Sequence, residues 1–265
     1  MCAKFNQVLY KIIPDGPVKE LFKSSYYRFY YNAKHFKENE FYVYYKNGHF
    51  LYKFDNGVEF SSYEDIADEL KRSLNGYLAR HDIKKGEIVA DCGAYIGEFT
   101  LYAAKAVGPS GKIIAFEPDP AIYKKLAANI ALNSLTNVTA LNKGVWSKAS
   151  TLKFVGDSLK GYSFMAADKD AGAIDVPVVA LDDELKRLAL PKVDFIKMDV
   201  EGAELEAIKG ASGTLEAQKV DLAIASYHPV DGVKSCYELE KILTGLGYKA
   251  ETAHPKHLTT YASKG

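Results

Sequence analysis

The chain has 265 residues, 48% hydrophobic and 26% charged, which suits one large domain or one domain with a small appendage. Its 34 basic residues balance 34 acidic ones, so a general electrostatic grip on nucleic acid is not indicated. Cys2, Cys92 and Cys236 lack C-x-x-C spacing, and Met1–Glu20 holds no apolar run long enough for a signal peptide or membrane span. A zinc site and a disulfide framework are therefore not suggested, and a reducing cytoplasm is the default compartment. Val8–Ile13 reads as a strand or a single helical turn, and Asp15-Gly16-Pro17 as a break. Leu21–Phe36 is dense in aromatics, with Tyr26, Phe29 and Tyr30 at helical spacing, and predicts a helix whose aromatic stripe packs on the remainder of the protein. From Phe41 the period changes to two. Phe41–Lys46, Asn47-Gly48 and His49–Phe54 predict a hairpin, because Asn-Gly accepts the positive φ of a primed turn, and Val58–Phe60 extends it to a three-strand meander. Ser62-Tyr63-Glu64-Asp65 resembles a capping box for a helix with Ile66, Leu70, Leu74 and Leu78 on one face, which Asn75-Gly76 is placed to break early.

The next stretch organises the rest. Ile88-Val89-Ala90 is a short apolar strand ending in Asp91, and Gly93 and Gly97 bracket a turn into a helix that Gly108-Pro109 stops. A second strand, Lys112–Phe116, ends in Glu117, and Asp119-Pro120 caps the helix after it. Val138–Leu141 is a third strand, followed by Gly144-Val145-Trp146 where an adenine would lie. Thr151–Val179 reads as antiparallel strands and loops, and Leu181–Leu185 opens a short helix. Val193–Met198 and Val220–Ala225 are the fourth and fifth strands, ending at Asp199 and at Ser226-Tyr227-His228. Gly202–Leu215 and Tyr237–Leu246 read as helices, and Tyr248–Thr252 and Leu258–Ala262 as two final strands. This alternation is an α/β signature, and it puts Asp91, Glu117, Gly144, Asp199 and His228 at successive carboxyl ends of parallel strands, where such folds bind ligands.

The turn Gly93-Ala94-Tyr95-Ile96-Gly97 lacks the second glycine of a dinucleotide fingerprint, and no P-loop lysine follows it. An NAD-dependent oxidoreductase is disfavoured on that ground. Glu117 at the end of the second strand suits a ribose diol, and the acid Asp91 without a pyrophosphate glycine triplet suits a cationic or zwitterionic tail. S-adenosylmethionine meets both conditions.

Three strings then resemble a known family. Asp91-Cys92-Gly93-Ala94-Tyr95-Ile96-Gly97-Glu98-Phe99-Thr100, Phe116-Glu117-Pro118 and Lys197-Met198-Asp199-Val200-Glu201-Gly202-Ala203-Glu204 are similar to FkbM-type methyltransferases, a branch of the class I S-adenosylmethionine-dependent enzymes. The similarity covers roughly residues 80–265; Tyr95 takes a place the family usually gives to Asn, and residues 1–60 match nothing in it. The resemblance implies a Rossmann-like, mostly parallel sheet with one antiparallel strand, here preceded by a small aromatic-rich helix and hairpin extension. The expected division is 1–60 for the extension, serving the acceptor, and 61–265 for the cofactor-binding domain. Cofactor contacts are expected at Asp91, Gly93, Ala94, Tyr95, Gly97, Glu117, Pro118, Gly144, Val145 and Asp199. Catalytic roles are expected for His228, Asp199 and Glu201, with His228 or Asp199 taking the acceptor's proton. His254 and His257 are weaker candidates. Asp199, Glu201 and His228 also form a conceivable Mg²⁺ or Mn²⁺ set, but a metal-free mechanism is the expectation. Asp199-Val200-Glu201-Gly202 differs from the Asn/Asp-Pro-Pro-aromatic string of enzymes acting on planar nitrogens, so the family likeness favours a hydroxyl on a small molecule. An RNA or protein methyltransferase, or a non-catalytic S-adenosylmethionine-binding protein, are the alternatives, and the oligomeric state is left open.

Overall fold

Asn47 and Gly48 adopt φ of 51° and 79°, the backbone that a two-residue primed turn requires, and so close the hairpin between β1 (Phe41–Lys46) and β2 (His49–Phe54). β3 (Glu59–Ser62) pairs antiparallel with β2 and completes the expected meander. One face of it is buried through Phe41, Val43, Phe50, Tyr52, Phe54 and Phe60, with Tyr52 and Phe60 stacked at 4.7 Å. The computed structural model describes residues 16–35, 41–157, 162–165, 173–230, 233–254 and 257–265. The strand or turn expected at Val8–Ile13 lies outside them.

Helix α1 (Pro17–Ser25) runs into a π-helical turn, Tyr26–Tyr31, and then α2 (Asn32–His35). The π turn alters the phase on which the expected Tyr26/Phe29/Tyr30 stripe depends. Tyr27 is the buried ring instead, edge-on to Phe50 at 5.2 Å, whereas Phe29 is 66% and Tyr30 47% exposed. The buried Asn32 amide fastens this segment to the meander through both backbone groups of Val43, at 2.8 and 2.9 Å.

The meander's last residues also decide where the next helix starts. Ser62 ends β3 opposite Phe50 and its Oγ accepts the Glu64 N–H at 3.1 Å, but the helix starts only at Ala67, so the expected capping box at Ser62 does not form. Asp65 caps instead, accepting the Ala67 N–H at 3.2 Å at the start of α3 (Ala67–Tyr77). Asn75-Gly76 does not break α3: Gly76 is buried and packs against the His257 ring, and helix hydrogen bonding carries on to Leu78. Contacts divide the chain into two units, Met1–Lys71 and Arg72–Gly265, a boundary inside α3.

The second unit is built on a seven-stranded sheet. Its parallel strands are β4 (Ile88–Cys92), β5 (Lys112–Phe116), β6 (Val138–Leu141), β11 (Phe195–Met198) and β12 (Asp221–Ala225), with β15 (Lys249–Ala253) and β16 (Thr259–Ser263) at one side. The order is β15-β16-β12-β11-β4-β5-β6, and β16 runs antiparallel to both neighbours, the single antiparallel member expected. All residues of β4 and β11 are buried, as strands covered on both faces must be. Crossover helices α4 (Glu98–Val107) and α5 (Pro120–Leu132) follow β4 and β5; α5 opens on Asp119, whose side chain accepts Ala121 and Ile122 N–H groups. β7 (Gly144–Val145), β8 (Ser150–Asp157), β9 (Tyr162–Met165) and β10 (Ile174–Val179) form a second sheet in the order β7-β10-β8-β9, antiparallel along β10-β8-β9 as expected, and β13 (Pro229–Val230) pairs antiparallel with β14 (Val233–Lys234).

The helix expected over Gly202–Leu215 is two short ones after α6 (Leu181–Arg187), namely α7 (Glu204–Lys209) and α8 (Ser212–Ala217). Between them, Gly210 lies so close to the Trp146 carbonyl that a Cβ would stand 1.9 Å from its oxygen, and Asp182 caps the second helix through Gly213 and Thr214. Helix α9 (Cys236–Gly245) precedes β15. Among the described residues no helix is long and apolar enough to cross a membrane.

Candidate active site

The sheet order reverses between β4 and β11: the chain leaves β4 towards β5 and β6 on one side and leaves β11 towards β12 on the other. The carboxyl ends of two strands at such a switch point are where folds of this kind bind ligands. Gly93 on one loop and Asp199 on the other come together there. A Cβ on Gly93, whose φ is 82°, would stand 1.7 Å from the Asp199 carbonyl oxygen. Gly97, φ 101°, is similarly hemmed in by Leu126, 2.7 Å from a Cβ at that position. Tyr95 between them holds φ 51°, a left-handed backbone that Asn tolerates better than an aromatic residue. The turn is shaped for close approach, but its donors are mostly committed within it. Gly93 and Ala94 N–H groups bond the Phe116 carbonyl, and Gly97 N–H bonds Ala94.

Asp91 is fully buried. Its Oδ2 accepts the Thr100 hydroxyl at 2.5 Å, and its Oδ1 lies 3.0 Å from Lys197 Nζ. Lys197 faces Asp91 in register across β4 and β11 and also donates to the Gly93 carbonyl at 2.5 Å. Burial alone would lower the Lys197 pKa, but the Asp91 and Asp199 charges outweigh it and hold the ammonium above its ordinary value. Asp91 thus underpins the turn from beneath, and Lys197 ties the two crevice loops.

Glu117 closes β5. Its Oε2 accepts Tyr95 N–H and its Oε1 accepts Asp119 N–H, both at 2.9 Å, so the carboxylate plane is set while a lone pair on each oxygen stays open. Burial pushes the Glu117 carboxyl up to about 8, against the pull of the two backbone N–H groups and of Lys197. A folded pKa above the unfolded value of 4.5 means that the native protein binds the extra proton between those limits. The stabilisation from this group is therefore fully present below about pH 4.5 and is lost as pH rises to about 8, with a slope approaching about 1.4 kcal/mol per pH unit in between. Urea titrations between pH 5 and 9 should show a shallower dependence in Glu117→Gln; an unchanged slope would contradict the assignment.

Asn142 links Glu117 to the third strand end, donating to the Glu117 and Pro118 carbonyls at 2.9 Å each. A Cβ on Gly144 would lie 3.6 Å from the Pro118 Cβ, so these two expected cofactor residues adjoin. Gly144 and Val145 are buried and pair in parallel with Val178 and Val179, while half-buried Trp146 packs on Phe154, Val176 and Val178.

On the opposite wall Asp199 gathers hydroxyls. Tyr77 donates to its Oδ2 at 2.6 Å and Tyr227 to the same atom at 3.1 Å. His257 stands 3.3 Å from the Tyr77 hydroxyl, and burial lowers its pKa. Burial, reinforced by the Asp199 charge, raises both phenol pKa values, so the tyrosines are hydrogen-bond donors. His228 lies between acids: Nδ1 is 2.9 Å from Glu204 Oε1, and Nε2 is 3.1 Å from Glu201 Oε2 and 3.9 Å from Asp199 Oδ1. Burial works to lower the imidazole pKa, but Glu201 and Glu204 raise it to about 10. Glu201 itself has φ 52°, and Glu204 ties the loop by accepting N–H groups of Val200 and Gly202.

The expected residues thus fall into two walls: Asp91, Gly93, Ala94, Tyr95, Gly97, Glu117, Pro118, Gly144 and Val145 on one, and Asp199, Glu201 and His228 on the other. Tyr77, Thr100, Asn142, Lys197 and Glu204 also belong to these walls, although the sequence expectation assigns them no role there. Lys197 is a lone charge in an apolar strand, and Thr100 and Glu204 lie within the strings that resemble the family, whereas Tyr77 and Asn142 carry no such signal.

The Methyltransferase FkbM domain profile matches residues 91–250. Over 199 residues the chain is 30% identical to methyltransferase sdnD of Sordaria araneosa, covering 63% of this chain and 75% of that protein. It is 24% identical over 151 residues to the hexuronic acid methyltransferase AglP of Haloferax volcanii, covering 57% of this chain and 60% of AglP. Among solved structures, methyltransferase FkbM from Methylobacillus flagellatus superposes with a TM-score of 0.53 at 21% identity, covering 70% of this chain and 45% of that one. The chain therefore spans less than half of that solved relative.

Proposed function

The chain belongs to the FkbM methyltransferase family, and from that premise we propose that it transfers the methyl group of S-adenosylmethionine to an oxygen of a small hydroxylated molecule. The observation that carries the cofactor assignment is Glu117, a buried carboxyl group at the end of β5 whose plane is set by two backbone N–H groups, one on each oxygen. A ribose diol would complete it. Gly93 beside it lets the loop that carries Asp199 pack against the turn, and Gly144, Val145 and Pro118 flank the position of the purine.

S-adenosylmethionine supplies an electrophilic methyl, and displacement at that carbon sends the C–S electron pair to sulfur. The chain's part is to hold the attacking oxygen in line and to accept its proton. Tyr227 and His228 line the acceptor side, and the proton passes to the strand-end carboxylates, Asp199 or Glu201. An oxygen acceptor is consistent with the relative named for hexuronic acid, a substrate class whose nucleophiles are all oxygens.

The test is transfer of isotopically labelled methyl from S-adenosylmethionine to a panel of hexuronic acids, other sugars and polyketide alcohols, with tRNA and protein extracts as competitors. An O-methyl resonance in a labelled small-molecule product is the expected result. Label confined to RNA or protein would overturn the small-molecule reading.

A further inference from the structure

Asp199, Glu201 and Glu204 bring three carboxylates around one imidazole, and two features of this group point to a cation-binding role. Glu204 is wholly buried, and its Oε1 takes three neighbours: His228 Nδ1 and the Val200 and Gly202 N–H groups. Its Oε2 is buried with no hydrogen-bond donor. His228 Nε2 is also buried and without a hydrogen bond, although Glu201 Oε2 is 3.1 Å away, because the two are not aligned. Orphaned buried polar atoms of this kind call for a partner. Lys197, the buried ammonium on β11, is engaged by Asp91 and the Gly93 carbonyl. Tyr77 and Tyr227 donate to Asp199 but bring no positive charge.

We infer that Asp199, Glu204 and His228 form a binding site for one divalent cation of the Mg²⁺/Mn²⁺ class. One ligand atom from each lies within 4.8 Å of the others. Metal–ligand bonds of about 2.1 Å put neighbouring ligands about 3 Å apart and opposite ones about 4 Å apart, so modest side-chain adjustment closes the set. Two carboxylates and an imidazole leave coordination positions for water or an acceptor. This departs from the metal-free expectation, and its ligand set differs from Asp199, Glu201 and His228: Glu204 replaces Glu201, because Glu204 is the buried acid with an unused oxygen.

The site's role in methyl transfer rests on the function proposed above, but its existence does not. An acceptor hydroxyl bound to the cation would have a lowered pKa. Its proton would pass to Glu201, left outside the ligand set, and its oxygen would attack the methyl carbon as the C–S pair returns to sulfur.

The probe is Mn²⁺ alone, titrated into the full chain and followed by loss of the free-ion electron paramagnetic resonance signal. One equivalent with micromolar affinity is expected, weakened at least tenfold in Asp199→Asn and in Glu204→Gln. Because Glu204 also ties its loop and its variant could fail to fold, pulsed resonance on the unmodified protein provides a second reading: ¹⁴N modulation from His228 should appear with Mn²⁺ bound. No binding at millimolar Mn²⁺, binding indifferent to Asp199→Asn, or absent ¹⁴N modulation would each overturn the site. Calorimetry with S-adenosylhomocysteine on the same preparation separates the two proposals. Cofactor binding without Mn²⁺ binding removes the cation alone, and Mn²⁺ binding without cofactor binding removes the methyl-transfer reading.

Discussion

Gly93→Ala is expected to destabilise the protein by more than about 4 kcal/mol, and at that size to prevent native folding under ordinary conditions. Two effects add. At φ 82° the backbone is one that L side chains rarely adopt, which accounts for about 1–2 kcal/mol. The larger effect is steric: the new methyl would lie 1.7 Å from the Asp199 carbonyl oxygen and 2.8 Å from its carbon, inside the contact limit of any non-bonded pair. Neither atom belongs to a side chain that can turn away. Relief requires the β4 and β11 loops to part, which loosens the Asp199 N–H bond to the Cys92 carbonyl at 2.9 Å and the Lys197 bond to Gly93. Gly108→Ala is the control, since Gly108 shares a positive φ of 67° but has nothing within 4 Å of an added Cβ. With ψ of -172° that backbone is nearly restricted to glycine, so the change should cost about 1–3 kcal/mol. Urea denaturation of both variants checks the contrast, and equal losses would mean that the two loops do not approach as described.

Above about pH 8, where the Glu117 carboxyl is ionised, Glu117→Ala should weaken S-adenosylhomocysteine binding by about 3–6 kcal/mol, roughly 10²–10⁴-fold, through the loss of two hydrogen bonds to a charged acceptor at about 1.5–3 kcal/mol each. The variant also frees the Tyr95 and Asp119 N–H groups that Glu117 accepts, so part of the loss could come from a loosened turn. A ligand lacking the ribose 2′-hydroxyl separates these causes. The deoxy analogue should bind the unmodified protein more weakly than S-adenosylhomocysteine does, whereas the variant should hardly distinguish the two. Equal discrimination by both proteins would place the ribose elsewhere.

How much of this was legible in the sequence follows from how local each cause is. Strands β5 and β6 match their expected bounds because apolar runs between turn residues are a local signal, and Asn47-Gly48 marks its hairpin by backbone preference alone. The single antiparallel strand and the α/β order were likewise readable from alternation and from the family likeness. Causes that act across the chain were not. Gly210 splits the expected helix because Trp146, sixty-four residues earlier, passes against it. Ser62 is the last residue of β3 opposite Phe50, and the helix begins later, behind Asp65. The aromatic stripe at Tyr26, Phe29 and Tyr30 shifts to Tyr27 through a π turn that no residue in it announces.

The site divides the same way. Strand-end residues were foreseeable, since their position follows from the strand itself. Tyr77 reaches Asp199 from a helix 122 residues away, and no spacing rule connects them. His228 stood out as an imidazole that would titrate near neutrality, but its charge state depends on Glu201 and Glu204 closing around it, which only the fold brings about.

The central claim, that the crevice at β4 and β5 is an S-adenosylmethionine site, is tested most directly by calorimetric titration of the full chain with S-adenosylhomocysteine and, separately, with NAD⁺. One equivalent of S-adenosylhomocysteine bound at micromolar levels, with no heat from NAD⁺, is the predicted result. Tight binding of NAD⁺ with no response to S-adenosylhomocysteine would contradict it.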